Sequence, residues 1–315
     1  MRFGGRFTAA VVCLLCATSM CAFGQVKASL TGRVTDTTGA VVSAATVTAD
    51  NVDTGISRTA LTNQAGKYLL LELPIGHYEV RASKWGFDEE KRTGITLVVG
   101  QDATADFTLH VGQVKQQVIV NENVSVVTAT TQEISGLVGE QQVKDLPLNG
   151  RSYDLLLTLN PGIVNFTSQK TGGIGVSNST TGNNFAVSGN RPQQNLFLLN
   201  GIEFTGAAEN NMQPGGPSQK LLGVEAVQEF NVLRDSYGAE YGKRPGAQVI
   251  IVTQSGSNRL HGSVYEFLRN NALDAPNYFD LGSAPLFQRN QFGGAMGGPL
   301  KRDKAFLFGN YEGFR

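Results

Sequence analysis

The sequence predicts a mainly β protein in three successive parts: an Ig-like β-sandwich, an α+β unit, and the first strands of an incomplete transmembrane β-barrel. Three observations carry this. Seven short alternating runs, separated by turn-forming clusters, fill residues 28–110. Ala247 to Thr253 is a near-continuous run rich in β-branched residues, as expected of a strand buried on both faces. After the turn Ser255-Gly256-Ser257-Asn258 the texture changes. From Gln291 onward, small or polar residues alternate with apolar ones, the pattern of a strand with lipid on one side.

Composition agrees. The 315 residues leave room for two or three domains. Charged residues are 17%, below the roughly 25% of soluble domains, and 38 glycines suit a turn-rich β chain. Formal net charge is zero, so no basic stripe argues for nucleic acid as a partner.

Residues 1–24 have the pattern of an export signal. Arg2 and Arg6 form a basic start, and Thr8 to Phe23 is apolar but short for a membrane span with its flanks. Small residues at Ala22 and Gly24 point to cleavage before Gln25, which leaves a mature chain near −2 in charge. All three cysteines, Cys13, Cys16 and Cys21, lie in this segment, so the mature chain has no thiol and no disulfide. Its β core must hold it together.

The sandwich is expected over residues 25–110. Its strands are Leu30–Val34, Thr46–Ala49, Ser57–Leu61, Tyr68–Leu71, Tyr78–Ala82, Ile95–Val99 and Ala105–Leu109. Between them lie turns such as Asp36-Thr37-Thr38-Gly39, Asn51-Val52-Asp53-Thr54-Gly55 and Asn63-Gln64-Ala65-Gly66. Tyr78, Val80 and Ala82 should share one face, as should Phe107 and Leu109. The charge run Asp88-Glu89-Glu90 reads as a solvated loop. The runs LTGRVTDTTGAVVSAATVTA and NQAGKYLLLELPIGHYEVRASKWGF resemble the carboxypeptidase-regulatory-like domain, a module without peptidase chemistry.

Residues 111–123 form a linker with one strand-like piece, Val118-Ile119-Val120. In the α+β unit, residues 124–255, Ser152 is placed to cap a short helix that Asn160-Pro161-Gly162 ends. Asn165 to Asn184 is a long Gly/Ser/Thr/Asn-rich loop, unusual unless functional or disordered. Phe185–Val187 and Leu196–Leu199 are strands in a hairpin-like unit joined through Gly189-Asn190-Arg191-Pro192, and Asn200-Gly201 is a turn. Past Leu260, strands are expected at Leu260–Arg269, around Gln291–Met296 and at Lys304–Arg315, with Pro299–Asp303 as the tight connection between the last two. Gln291, Gly293 and Ala295 should face inward and Phe292, Gly294 and Met296 outward. For Leu260–Arg269 the alternation leaves the faces open, because Glu266 falls among the apolar set.

The stretches LPLNGRSYDLLLTLNPGI, FAVSGNRPQQNLFLLNGIEF, EAVQEFNVLRDSYGAEYGKRPGAQVIIVTQSGSNRLHGSVYEF and RNQFGGAMGGPLKRDKAFLFGNYEGFR resemble TonB-dependent outer-membrane receptors. The resemblance implies a plug over residues 124–255 and barrel strands over 256–315, in the subgroup with an N-terminal regulatory-like domain. It implies a location in the Gram-negative outer membrane, with the sandwich in the periplasm. The implied partners are the TonB-ExbB-ExbD complex, outer-membrane lipid and a small or oligomeric nutrient, with no cofactor. Val118, Ile119 and Val120 are the local candidates for the TonB contact; otherwise they are the last strand of the sandwich or the first of the plug. Asn190, Arg191 and Glu203 are polar tips that meet either substrate or the inner barrel wall. A plugged transporter barrel needs roughly 22 strands, and residues 260–315 supply three or four, so a longer gene product is expected.

Catalytic patterns are missing. His77, His110 and His261 are far apart in sequence, and there is no zinc-peptidase, nucleophile-elbow or phosphate-loop motif, so enzyme activity is not expected. Two readings of function remain. One is an energy-coupled uptake receptor, for an oligosaccharide or another large organic nutrient. The other is a non-transporting surface or adhesin-like protein using the sandwich as a carbohydrate- or protein-binding module.

Overall fold

The computed structural model describes residues 28–112, 117–121, 134–146, 148, 151–165, 184–205, 222–238, 241–276 and 286–315. The export signal and nearly all of the Asn165–Asn184 loop lie outside the described residues. Among the described residues no helix is long and apolar enough to cross a membrane, which says nothing of strands.

The sandwich consists of β1 (Ala28–Asp36), β2 (Thr46–Asn51), β3 (Ser57–Leu61), β4 (Lys67–Leu73), β5 (Gly76–Ser83), β6 (Glu89–Leu97), β7 (Asp102–Thr104) and β8 (Phe107–Leu109). One sheet runs β4-β1-β7, with β8 continuing alongside β1; the other runs β3-β2-β5-β6. Asx side chains fix three of the turns. Asp36 Oδ1 accepts the amides of Thr38 and Ala40, at 2.8 and 3.0 Å. Asn51 Oδ1 accepts those of Asp53 and Thr54, both at 3.0 Å. Asn63 Oδ1 accepts those of Ala65 and Lys67, at 2.9 and 3.0 Å. Alternate residues then turn inward. Leu30, Val34, Leu73, Tyr78, Val80, Ala82, Ile95, Phe107 and Leu109 form one core, each large one contributing about 1.5–3 kcal/mol by burial. Tyr68 and Tyr78 keep their hydroxyls satisfied on the carbonyls of Ala105 (2.6 Å) and Pro74 (2.7 Å).

The charge run corrects the sequence reading. Glu89 and Glu90 open β6, and Asp88 and Glu90 are buried. Glu90 takes Arg92 Nε at 3.1 Å and the Thr108 amide at 2.7 Å, so its charge is paired rather than solvated. The expected strand Ile95–Val99 ends at Leu97, and the expected strand Ala105–Leu109 shortens to β8, Phe107–Leu109.

A further strand, β9 (Gln117–Asn121), joins the second sheet. It runs parallel to β6, with Glu89 opposite Gln117 and Thr93 opposite Asn121.

The α+β unit contains β10 (Ile134–Val138), helix α1 (Glu140–Asp145), a 3₁₀ helix (Tyr153–Leu159), β11 (Ile163–Asn165), β12 (Phe185–Val187), β13 (Leu196–Leu199), β14 (Ile202–Glu203), β15 (Val227–Asp235) and β16 (Gln248–Thr253). Its main sheet has the order β10-β15-β16-β13-β14. β16 lies at the centre, and Gln248 to Ile251 are buried, as the β-branched run requires. Its one parallel neighbour is β13. Phe185–Val187 and Leu196–Leu199 do not form a hairpin. β12 pairs with β11 in a separate two-stranded sheet, so the Gly189–Pro192 connection passes between sheets. Asn200-Gly201 joins β13 to β14 with both φ positive (51° and 82°), the geometry of a tight hairpin turn. Asn200 also receives the Thr253 amide at 3.0 Å, which fastens the turn to β16. Ser152 is the N-cap, but of a 3₁₀ helix, and its hydroxyl bonds Asp154 instead of capping the backbone.

β17 (His261–Asn270), β18 (Gln288–Lys301) and β19 (Ala305–Phe314) form an antiparallel meander. β18 runs through Pro299, which sits opposite Phe306, so the expected connection shortens to a turn with Asp303 at φ 62°. Val264, Leu268, Met296, Leu307 and Tyr311 project from one face and are largely exposed. Glu266 shares that face and accepts Asn290 Nδ2 at 3.0 Å. Register puts Ser263, Tyr265 and Phe267 on the other face with Ala295, Gly293 and Gln291. Gly293 is required beneath Tyr265, since a Cβ there would lie 2.5 Å from the phenol oxygen.

Candidate functional site

The inner face of the meander meets the plug at Arg151 and Glu225. These residues are 74 positions apart and are brought together by the approach to the 3₁₀ helix and by the short turn Val224–Ala226 before β15. Arg151 Nη2 is 3.0 Å from Glu225 Oε1, with the two side chains only 10% and 9% exposed. Burial makes such a pair depend on its partners, because either charge alone would be poorly solvated.

The meander supplies those partners. The Arg151 guanidinium lies 4.4 Å from the Tyr265 ring centre and 4.3 Å from that of Phe267. Ser263 Oγ donates to Glu225 Oε2 at 2.8 Å. Tyr265 donates its hydroxyl to Glu312 Oε2 at 2.9 Å, and Gln291 Nε2 donates to the other oxygen of Glu312. All three strands therefore contribute polar or aromatic groups to one joint with the plug. Arg151 is held with φ at 54°, a conformation unusual for a residue with a side chain and one that the surrounding contacts must support.

A second contact joins plug and sandwich. Val99, just beyond β6, is fully buried, yet it packs with Leu233 and Ile250 of the plug sheet and not with the sandwich core. Its amide donates to Glu229 Oε1 at 2.6 Å, and its carbonyl accepts Asn231 Nδ2 at 3.2 Å. Burial pushes the Glu229 carboxyl up to about 7; the Val99 amide pulls the other way, and Glu140 adds to the rise. Nearby, the Asn258 amide donates to the Asp53 carbonyl at 2.7 Å, tying a sandwich turn to the entry of β17.

The residues singled out in the sequence fall elsewhere. Val118, Ile119 and Val120 lie in β9 against β6. Arg191 is exposed, and its amide donates to Gln194 Oε1 at 2.9 Å. Asn190 bonds back to Val187, and Glu203 pairs with Lys243. The tips thus have separate neighbours. Sequence reading missed Arg151 and Glu225, although each is a charge beside an apolar run.

The chain thus combines a sandwich, an α+β unit with a buried ion pair, and barrel-type strands that grip the pair. Residues 29–110 match the carboxypeptidase regulatory-like domain family, and residues 252–315 match the outer membrane beta barrel domain family. The chain is similar to the TonB-dependent transporter Oar of Myxococcus xanthus, with 25% identity over 283 residues; this covers 84% of the chain and 24% of that protein's length. Among solved structures it is similar to the siderophore receptor PirA from Acinetobacter baumannii (21% identity, TM-score 0.39, 56% of this chain and 24% of that one). PirA from Pseudomonas aeruginosa is also similar (18% identity, TM-score 0.36, 57% and 28%). By these matches the chain is similar to the TonB-dependent receptors of the Gram-negative outer membrane, and it spans about a quarter of the length of the curated relative it matches.

Proposed function

We propose that this chain serves energy-coupled uptake of a nutrient across the outer membrane, its plug closing the barrel lumen until the N-terminal side is pulled. The observation that carries the reading is the joint at Arg151 and Glu225. A buried ion pair on the plug, held by Ser263, Tyr265 and Phe267 of a membrane-type strand, suits a plug that is retained firmly at rest. An adhesin-like module would have no need of such a joint.

In this reading Val118, Ile119 and Val120 add a strand to TonB, driven by the TonB-ExbB-ExbD complex. Asn190, Arg191 and Glu203 are the plug's polar contacts toward substrate or the inner barrel wall. The regulatory-like sandwich favours an oligosaccharide or another large organic nutrient as cargo. No catalytic step is part of the scheme.

Uptake by the full-length receptor tests it. Ile119→Pro removes an amide from the coupling strand and should abolish uptake while leaving outer-membrane abundance unchanged. Normal uptake in this variant would move the coupling contact elsewhere. Arg191→Ala should either lower substrate affinity with the pore sealed, or raise permeability to large antibiotics with affinity unchanged. If neither quantity moves, the tip is a solvated turn.

A further inference from the structure

We propose that the sandwich is a strap across the boundary between plug and barrel. One end of it grips the plug sheet and the first barrel turn together, so the plug leaves its seat only after one grip opens. The inference rests on the reading of the plug as the part that moves in uptake. It adds a second restraint, on the sandwich side, to the joint at Arg151 and Glu225.

Three connections meet at that end of the sandwich: residues 52–56 between β2 and β3, 74–75 between β4 and β5, and 98–101 between β6 and β7. They are laced to the sandwich itself, the Val52 amide donating to the His77 carbonyl at 2.8 Å and the Ser29 amide to the Gln101 carbonyl at 2.9 Å. The last connection enters the plug. Val99 is buried with Leu233 and Ile250, and its amide and carbonyl both find partners there, in Glu229 and Asn231. Ile75 packs on the same plug cluster. A buried residue whose backbone groups are satisfied only across the boundary cannot leave it without orphaning them.

The first connection holds the barrel. His77 Nδ1 lies 2.9 Å from Asp53 Oδ2 and braces that side chain. The Asp53 carbonyl then accepts the Asn258 amide at 2.7 Å. Asn258 in turn clasps the turn between β18 and β19: its Nδ2 donates to Asp303 Oδ1 at 2.8 Å, and its Oδ1 accepts the Asp303 amide at 2.9 Å. Gly55 lies directly against the same turn. A Cβ on Gly55 would stand 3.1 Å from the Asp303 Cβ and run into its carboxylate. A barrel residue thus limits what a sandwich turn can carry, the mark of two surfaces that seat on each other. Val99 and Gly55 flank one packed sandwich core, and close-packed interiors transmit strain. Motion of the plug against the barrel therefore loads the two grips in series.

The mature chain's lack of cysteine permits a direct test in the full-length receptor. Oxidation of resting cells should cross-link Gly55→Cys with Asp303→Cys, whose Cβ atoms lie within disulfide reach. Thr38→Cys with Asp303→Cys, at the far end of β1, should stay open. Failure of the first pair, or equal cross-linking of the second, overturns the barrel grip. The strap itself is read from leakage of vancomycin into resting cells at unchanged outer-membrane abundance. Val99→Asp opens the plug grip. Gly55→Asn opens the barrel grip, since Asn accepts the positive φ of 72° while its Cβ meets Asp303. Each should raise leakage several-fold. The double variant should leak no more than the leakier single, because one open grip already unloads a series restraint. No leakage in either single, or leakage that multiplies in the double, overturns the strap. Neither readout uses uptake, so failure of the uptake reading registers separately, as normal uptake in Ile119→Pro.

Discussion

Removing Arg151 should loosen the plug by an amount that the joint itself determines. In Arg151→Ala, the Glu225 carboxylate stays 9% exposed, with Ser263 Oγ at 2.8 Å as its remaining described side-chain partner. Breaking a buried pair from one side typically costs about 3–5 kcal/mol, mostly from the charge left behind. Loss of the guanidinium from over the Tyr265 and Phe267 rings adds roughly 0.5–2 kcal/mol. If the uncompensated charge dominates, Glu225→Gln placed on the Arg151→Ala background should recover much of the loss. The Gln side chain can still accept from Ser263. The assay is a double-mutant cycle on the purified full-length receptor, with plug unfolding followed in denaturant and antibiotic permeation measured in cells. The single Arg151→Ala variant should leak and unfold early, and the double variant should do both less. Additive effects within about 0.5 kcal/mol would refute the reasoning, because they would mean that the two side chains act independently.

The contact between sandwich and plug should respond to pH. An exposed glutamic acid gives up its proton near 4.5, whereas burial at the contact with Val99 holds that of Glu229 up to about 7, against the pull of the Val99 amide. The docked state therefore binds the extra proton, so docking is strongest below pH 4.5 and weakens as pH rises through 7, by about 3 kcal/mol at most. Hydrogen exchange of the Val99 amide, corrected for intrinsic rates, should show falling protection from pH 5 to 8 in the full receptor. Glu229→Gln should flatten that dependence, and an unchanged slope would discard the assignment. Residues 28–110 should fold alone as a soluble monomer, and Val99→Asp should leave their melt within about 0.5 kcal/mol, since Val99 is outside the sandwich core. A non-cooperative melt would reject the boundary, and a large shift would return Val99 to the sandwich.

Much of the fold was legible because short-range chemistry decides it. Asp36, Asn51 and Asn63 each fold a turn with their own side chain, so the ends of the first strands follow from residue type alone. Ala247 to Thr253 announced a central strand because polar side chains are costly on both faces of such a strand. The alternation about Gln291 announced the two faces of β18. Leu260–Arg269 did not, because Glu266 interrupts its apolar set. Its partner Asn290 is 24 residues away, and only strand pairing brings the two together. The charge run at Asp88 fails for the same reason. Glu90 looks solvated until β8 delivers the Thr108 amide to it. The turn at Gly189 marks a reversal, but a turn signal cannot say whether its flanking strands pair with each other or with third parties.

The joint was illegible for a related but stronger reason. Arg191 attracts notice because it sits in a turn between apolar strands, where a charge is easily seen. Arg151 and Glu225 look unremarkable, since one begins a helical segment and the other a strand, and charges are common at both places. What distinguishes them is desolvation, which neither has by itself. Tyr265, Phe267 and Ser263 lie against the buried pair, so the property that makes the site belongs to three distant stretches at once. The usable trace in the sequence is weak: two opposite charges, each followed by residues that must be buried, in a chain whose charge content is only 17%. In such a chain a charge placed against an apolar run has few surface reasons to be there. Arg151 and Glu225 are charges of that kind that the fold brings together, whereas Arg191 stays exposed at its turn.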